Sequence, residues 1–157
     1  MSIRSAAKAI IVKDGKILLN KCHDGKTGHY YALPGGGQHP YETLHDTLYR
    51  ECLEETGYKV RPVKFAALCE EIHMDPDIRR EDPDYAHKVY HVFICELTDE
   101  NIDIPTERDS NQLSSEWIKM SELDNIRLLP AAIGENILDI INGTARTFLG
   151  SRRITFG

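Results

Sequence analysis

The sequence predicts an α+β domain, and three observations carry that prediction: a hairpin signal near the start, one amphipathic helix in the middle, and strand-like runs on both sides of it. Residues 7–12 and 16–21 are apolar runs flanking Asp14-Gly15, a dipeptide that favours a tight hairpin turn. Residues 30–33 read as a short strand feeding a glycine turn, Leu33-Pro34-Gly35-Gly36-Gly37. From about 41 to 56, Leu44, Leu48 and Cys52 recur every fourth position, the buried stripe of a helix. Pro40 stands ahead of that helix and Gly57 behind it, where helices begin and stop.

Residues 63–72 and 88–97 read as a pair of strands; in the second, Val89, Phe93, Cys95 and Leu97 share a face, with His91 among them. Residues 115–120 form a further strand. Residues 130–142 form a helix with Pro130 near its start, Ile133, Ile137, Ile140 and Ile141 on one side, and Gly143 past its end. Two polar stretches interrupt the pattern, 73–87 and 99–112. The first is a solvated hairpin loop or a substrate lid, in which Arg79 or Arg80 would reach a phosphate.

Composition narrows the class. A chain of 157 residues, 41% hydrophobic and without repeat or linker, is read as one domain, 1–157, with a real core. No apolar run is long enough to span a membrane, and the start Met1-Ser2-Ile3-Arg4-Ser5 is not a signal sequence, so a cytoplasmic protein is expected. Cys22, Cys52, Cys69 and Cys95 are scattered, which suggests free buried thiols and neither a zinc site nor a disulfide framework. A net charge of −6 and a pI near 5.6 argue against nucleic acid as partner, although Arg146, Arg152 and Arg153 make the tail locally positive.

The helix carries the chemistry. Glu51, Glu54 and Glu55 stand at i, i+3 and i+4, hence on one face, in the last two turns where the helix dipole disfavours anions by about 0.3–1 kcal/mol. A helix does not need this arrangement to fold, and a charge run of this kind is a solvated face unless something gathers it. Next to it, Gly35, Gly36 and Gly37 permit backbone angles and close approaches closed to other residues. Carboxylates and main-chain carbonyls together suit a hard divalent cation.

Gly36, five residues, Glu42, seven residues, then Arg50-Glu51-Cys52-Leu53-Glu54-Glu55-Thr56-Gly57-Tyr58 resembles the box of the Nudix (MutT-like) hydrolase family at every defined position and spacing. Cys52 stands where a bulky aliphatic residue is usual, and Tyr41 where the family often has glycine. The motif covers residues 36–58. The resemblance implies a mixed β-sheet sandwiched between helices and hydrolysis of a nucleoside diphosphate linked to another moiety, with a nucleoside monophosphate as product. It implies Mg2+, with Mn2+ as the alternative, bound by Glu51, Glu54, Glu55 and the Gly36 carbonyl. Arg50 would orient the glutamates, with Glu42 beside them. The general base would be Glu51 or Glu54, or an outer carboxylate among Glu116, Glu96, Glu70 and Glu71. A homodimer accords with the family's habit.

The resemblance leaves the substrate open. The proline that often marks ADP-ribose specialists is replaced by His73, and Met74 and Asp75 stand where dinucleoside-polyphosphate enzymes often carry tyrosine. A nucleoside triphosphate or nucleotide-sugar pyrophosphatase is the default. His39 and Tyr41 would face the substrate or pack at the helix start. His29, Tyr30, Tyr31 and Phe93 would stack on a base or fill the core, and Trp117 reads as core. A non-hydrolytic nucleotide sensor on the same fold could dispense with the acidic residues that are all present here. An isomerase would need groups the sequence does not display.

Overall fold

Strand β1 (Arg4–Lys13) is the spine of the fold, and its alternation sets the layers. Ala6 and Ile10 join one apolar cluster; Ala7, Ala9 and Ile11 join another on the opposite face. Helix α1 (Leu44–Thr56) covers the second face with Leu48 and Cys52, whereas α3 (Ala131–Asn142) covers the first with Ala132, Ile133, Ile137 and Ile140. The result is the expected α/β/α sandwich. It is seen in a computed structural model that describes residues 2–155; Met1 and residues 156–157 of the expected domain lie outside them.

The sheet divides at β1. Asp14 and Gly15 both adopt positive φ, 52° and 74°, and turn β1 into β2 (Lys16–Asp24), yet the two strands pair only beside that turn. Further back, β1 pairs in parallel with β6 (His87–Leu97) and antiparallel with β4 (Gly35–Gly37). On one side of the split, β5 (Val60–His73) runs antiparallel to β6 and carries β9 (Phe148–Ile154) on its outer edge. On the other, β2 lies between β3 (Gly28–Ala32) and β7 (Gln112–Lys119), and β8 (Leu128–Leu129) flanks β3. Diverging strands leave room between the two halves.

Several sequence expectations change here. The glycine segment is a strand: a Cβ on Gly35 would lie 2.1 Å from the Ala7 carbonyl oxygen, so glycine serves close strand approach at least as much as turning. Helix α1 starts at Leu44, not near Tyr41, because Thr43 caps it: the Thr43 hydroxyl accepts from the Asp46 N–H, and Asp46 returns the bond to the Thr43 N–H. Residues 73–87 are not an open hairpin loop. β5 runs on to His73, followed by the short helix α2 (Pro76–Glu81) and a 3-10 turn over Pro83–Tyr85. Strand β9 occupies the tail read only as basic, and Arg152 there pairs with Glu135 of α3.

The C-terminus of α1 sits under strict backbone constraint. Gly57 has φ 77°, its N–H donates to Leu53 O, and an added Cβ would lie 1.9 Å from the backbone oxygen of Asp103. Gly57→Ala is expected to lower the unfolding free energy by about 1–3 kcal/mol, since left-handed strain and a main-chain clash act together. Urea denaturation measures this; an unchanged midpoint would contradict the packing of residues 102–103 on the helix end.

Candidate active site

The site forms where β4 meets the C-terminal half of α1. Gly36 lies against Glu51 so closely that a Cβ would come within 2.7 Å of the carboxylate, so a larger residue there would push that side chain from its place. Arg50 gathers the acids. Its guanidinium donates to Glu42 through Nε at 2.7 Å and Nη2 at 2.9 Å, a two-pronged grip, and through Nη1 to Glu51 at 2.8 Å and Glu54 at 3.4 Å. Nη2 also reaches the Gly37 carbonyl at 3.0 Å, tying the array to β4. Glu42 further accepts from the His39 N–H at 2.8 Å and the Thr47 hydroxyl at 3.2 Å. The Arg50 bonds, foremost, hold its carboxyl well below the usual range, at about 2. Glu42 is thus a fixed anion that orients Arg50.

Glu55 behaves in the opposite way. It is only 2% exposed, and its carboxylate accepts from the Gly35 N–H at 2.8 Å and weakly from Asn20 Nδ2 at 3.4 Å, both neutral donors. Burial pushes its pKa up to about 8, opposed by the nearby charge of Lys8 and the Gly35 bond. Burial likewise raises Glu51, against the pull of Arg50. These acids sit where ordinary folding forces would not keep them.

The donor set suits a hard divalent cation: three carboxylates on one helix face, two of which, Glu51 and Glu55, lie against the glycine strand. Among the described residues no three acidic, histidine or cysteine side chains already converge as a metal cluster. The reason is visible: Arg50 draws Glu51 and Glu54 to itself while Glu55 turns to Gly35. Bonds from Ala9 N to Pro34 O and Gln38 N to Ser5 O, each 2.8 Å, frame the β1–β4 ladder and make Ala7 and Gly36 the bonded pair between them. The Gly36 carbonyl therefore faces β1, whereas the Gly35 carbonyl already meets a cation, Lys8 Nζ, at 3.2 Å.

Beside Glu55 opens a cavity of about 430 Å3, in the split between the two halves of the sheet. Its walls include Lys8, Asn20, Tyr30 and Leu33, with Glu71, His73, Lys88 and Tyr90 at the β5–β6 side. Ile78, Asp82 and Tyr85 from the 76–85 segment border it, as do Asp109 and Asn111 from the stretch before β7 and Gln112 at the start of that strand. Burial raises Glu71 and lowers Lys88, each opposed by the charge of the other.

The other sequence candidates fall outside this space. Arg79 donates to the His73 carbonyl and Arg80 pairs with Asp77, so α2 turns other side chains to the cavity. His39 is exposed, and Tyr41, at φ 69°, is fully exposed and packs against nothing at the helix start. Among the outer glutamates, Glu96 pairs with Arg61, Glu70 with His87, and Glu116 accepts from Tyr31; only Glu71 lines the cavity. Phe93 is core, stacked edge-on to His45 and Phe65, and Trp117 bonds Tyr58; of the base-stacking candidates His29, Tyr30, Tyr31 and Phe93, Tyr30 alone lines the cavity. Sequence reasoning passed over Gln112 and Lys88, which belong to no motif.

An α/β/α sandwich with an arginine-bound glutamate array at a glycine strand defines a Nudix-type site. A family model described as the NUDIX domain matches residues 2–137, and the chain belongs to the Nudix hydrolase family. No curated protein sequence is significantly similar to it. Among solved structures, it is similar to a NUDIX hydrolase from Nitrosomonas europaea, 18% identical over 93% of each chain with a TM-score of 0.71. It is also similar to a UDP-X diphosphatase, 20% identical over 94% of this chain and 67% of that one, TM-score 0.66. A third is an ADP-ribose pyrophosphatase from Streptococcus suis, 19% identical over 96% and 98%, TM-score 0.57. At these identities the likeness is one of fold. No helix among the described residues is long and apolar enough to cross a membrane.

Proposed function

We propose that this protein hydrolyses the pyrophosphate bond of a nucleoside diphosphate linked to another moiety, with Mg2+ as cofactor and a nucleoside monophosphate as product. The observation that carries the reading is one guanidinium, Arg50, holding Glu42, Glu51 and Glu54 beside the buried Glu55. Glu51, Glu54 and Glu55 would hold the ion, joined by a β4 carbonyl, for which Gly35 is turned better than Gly36. When bound, it neutralises the pyrophosphate and acidifies water. The protein's own charge of −6 would otherwise repel such a substrate.

Glu51 is our choice of general base. Burial raises its affinity for a proton, against the pull of Arg50, and that is the direction that suits a group that must accept one from the attacking water. Glu42, held at about 2, is unsuited to that role and instead fixes Arg50. The water oxygen bonds to phosphorus, the bridging P–O bond breaks, and the departing phosphate carries away the electron pair. The test is a panel of nucleoside triphosphates, nucleotide sugars, ADP-ribose and dinucleoside polyphosphates, with and without Mg2+. Metal-dependent monophosphate release from at least one class is expected. Tight binding without turnover would establish a sensor instead.

A further inference from the structure

Two buried polar atoms of cavity-lining residues have no hydrogen-bond partner among the described residues, Oε1 of Gln112 and Nδ1 of His73. Both residues are more than nine-tenths buried, at 8% and 7% exposure. The Gln112 amide is held from one side: Nε2 donates to the Glu55 carbonyl at 3.1 Å and to Ser115 Oγ at 3.1 Å, while Ser115 donates to Asn20 Oδ1 at 2.9 Å. The opposite amide orientation would set Oε1 against the Glu55 carbonyl, so Oε1 is the free atom, and it can only accept. Glu71 adds a second acceptor, to which the Tyr90 hydroxyl donates only at a long 3.5 Å. A buried acceptor left unpaired is unfavourable, and a ligand that donates a hydrogen there removes the penalty.

Leu33, Ile78, Tyr90 and Pro130 supply apolar wall around these few polar points. A sugar presents several hydroxyls and would leave most of them facing carbon, whereas a planar base offers apolar faces and a polar edge. We propose that the cavity holds the nucleobase of the substrate and that Gln112 selects bases bearing an exocyclic amino group, which donates to Oε1. The inference rests on the nucleotide-hydrolase reading above and names its substrate class. A carbonyl at the same ring position would bring oxygen against oxygen, so discrimination comes from repulsion as well as attraction. Gln112 is a specificity residue, linked to the metal-binding helix through the backbone of Glu55.

Calorimetric binding without added metal separates this from turnover. Adenosine and inosine monophosphates differ by an amine against a carbonyl at one ring position, with the adjacent ring nitrogen changing from acceptor to N–H donor, as cytidine and uridine monophosphates do. The amino member of each pair is expected to bind at least about tenfold more tightly, and Gln112→Leu to bring each pair within about twofold. His73→Phe, remote in sequence from that amide, is expected to weaken both members of a pair alike. Equal binding within the wild-type pairs overturns the inference, as does a nucleotide sugar binding far more tightly with no base preference. Those wild-type comparisons decide the matter even if the Gln112 variant does not fold. Base preference without hydrolysis would sustain this inference and refute the hydrolase reading; hydrolysis without preference would do the reverse.

Discussion

Glu54→Gln is expected to lower Mg2+-dependent turnover by about 100-fold or more while leaving the thermal midpoint nearly unchanged. The two halves of that expectation come from different observations. Glu54 is a quarter exposed, and its ion-pair contact to Arg50 is long at 3.4 Å and runs in the less favourable i, i+4 sense, so folding gains little from it. The proposed metal-binding role would account for its position on the face of Glu51 and Glu55, and an amide that keeps the shape but loses the charge would remove that use. Glu55→Gln is expected to match it in activity, because an amide oxygen still accepts from the Gly35 N–H while the anion is gone. Steady-state kinetics against Mg2+ concentration, paired with calorimetric unfolding, checks both. Near-normal turnover in either variant would remove the carboxylates from the proposed site.

How far the sequence foretells this molecule depends on whether each feature is local. The α1 stripe of Leu44, Leu48 and Cys52 and the positive-φ hairpin at Asp14-Gly15 are legible because a few neighbouring residues determine them. The glutamate spacing is legible for the same reason. The capping pair Thr43 and Asp46 was also within reach, and it would have moved the helix start from 41 to 44. β4 was not, because three glycines show no side-chain alternation, and their strand character lies in the contact with Ala6, Ala7 and Lys8 of β1. Gln112 was hidden more deeply. Its role depends on Glu55, 57 residues earlier, and a lone glutamine after a polar run has no spacing to announce it. The cavity exists only because β1 leaves β2 for β4, a fact of pairing that no single segment encodes.

Arg50→Ala is expected to damage both stability and activity, and the pH dependence of the loss identifies its cause. Removing the guanidinium strands Glu42, 18% exposed at its side chain, and takes away its two-pronged grip and the tie to the Gly37 carbonyl. Charge-assisted bonds of this kind contribute about 1.5–3 kcal/mol, and loss of orientation around Glu51 and Glu54 should reduce kcat/KM by about 10- to 100-fold. The Glu42 carboxyl is near 2 in the folded protein against an ordinary 4.5, so the folded state binds fewer protons than the unfolded one between those values. Its stabilisation is therefore complete above about pH 4.5 and disappears as pH falls toward 2. In the variant, unfolding free energy should lose this acid-limb slope. Glu55, raised to about 8, has the opposite sign: without divalent cation it weakens the fold as pH rises from 4.5 to 8, in wild type and Arg50 variant alike. Denaturant titrations across pH 2–8 separate the limbs. An Arg50 variant whose acid limb keeps the wild-type slope would show that Glu42 owes its depressed pKa to something other than Arg50.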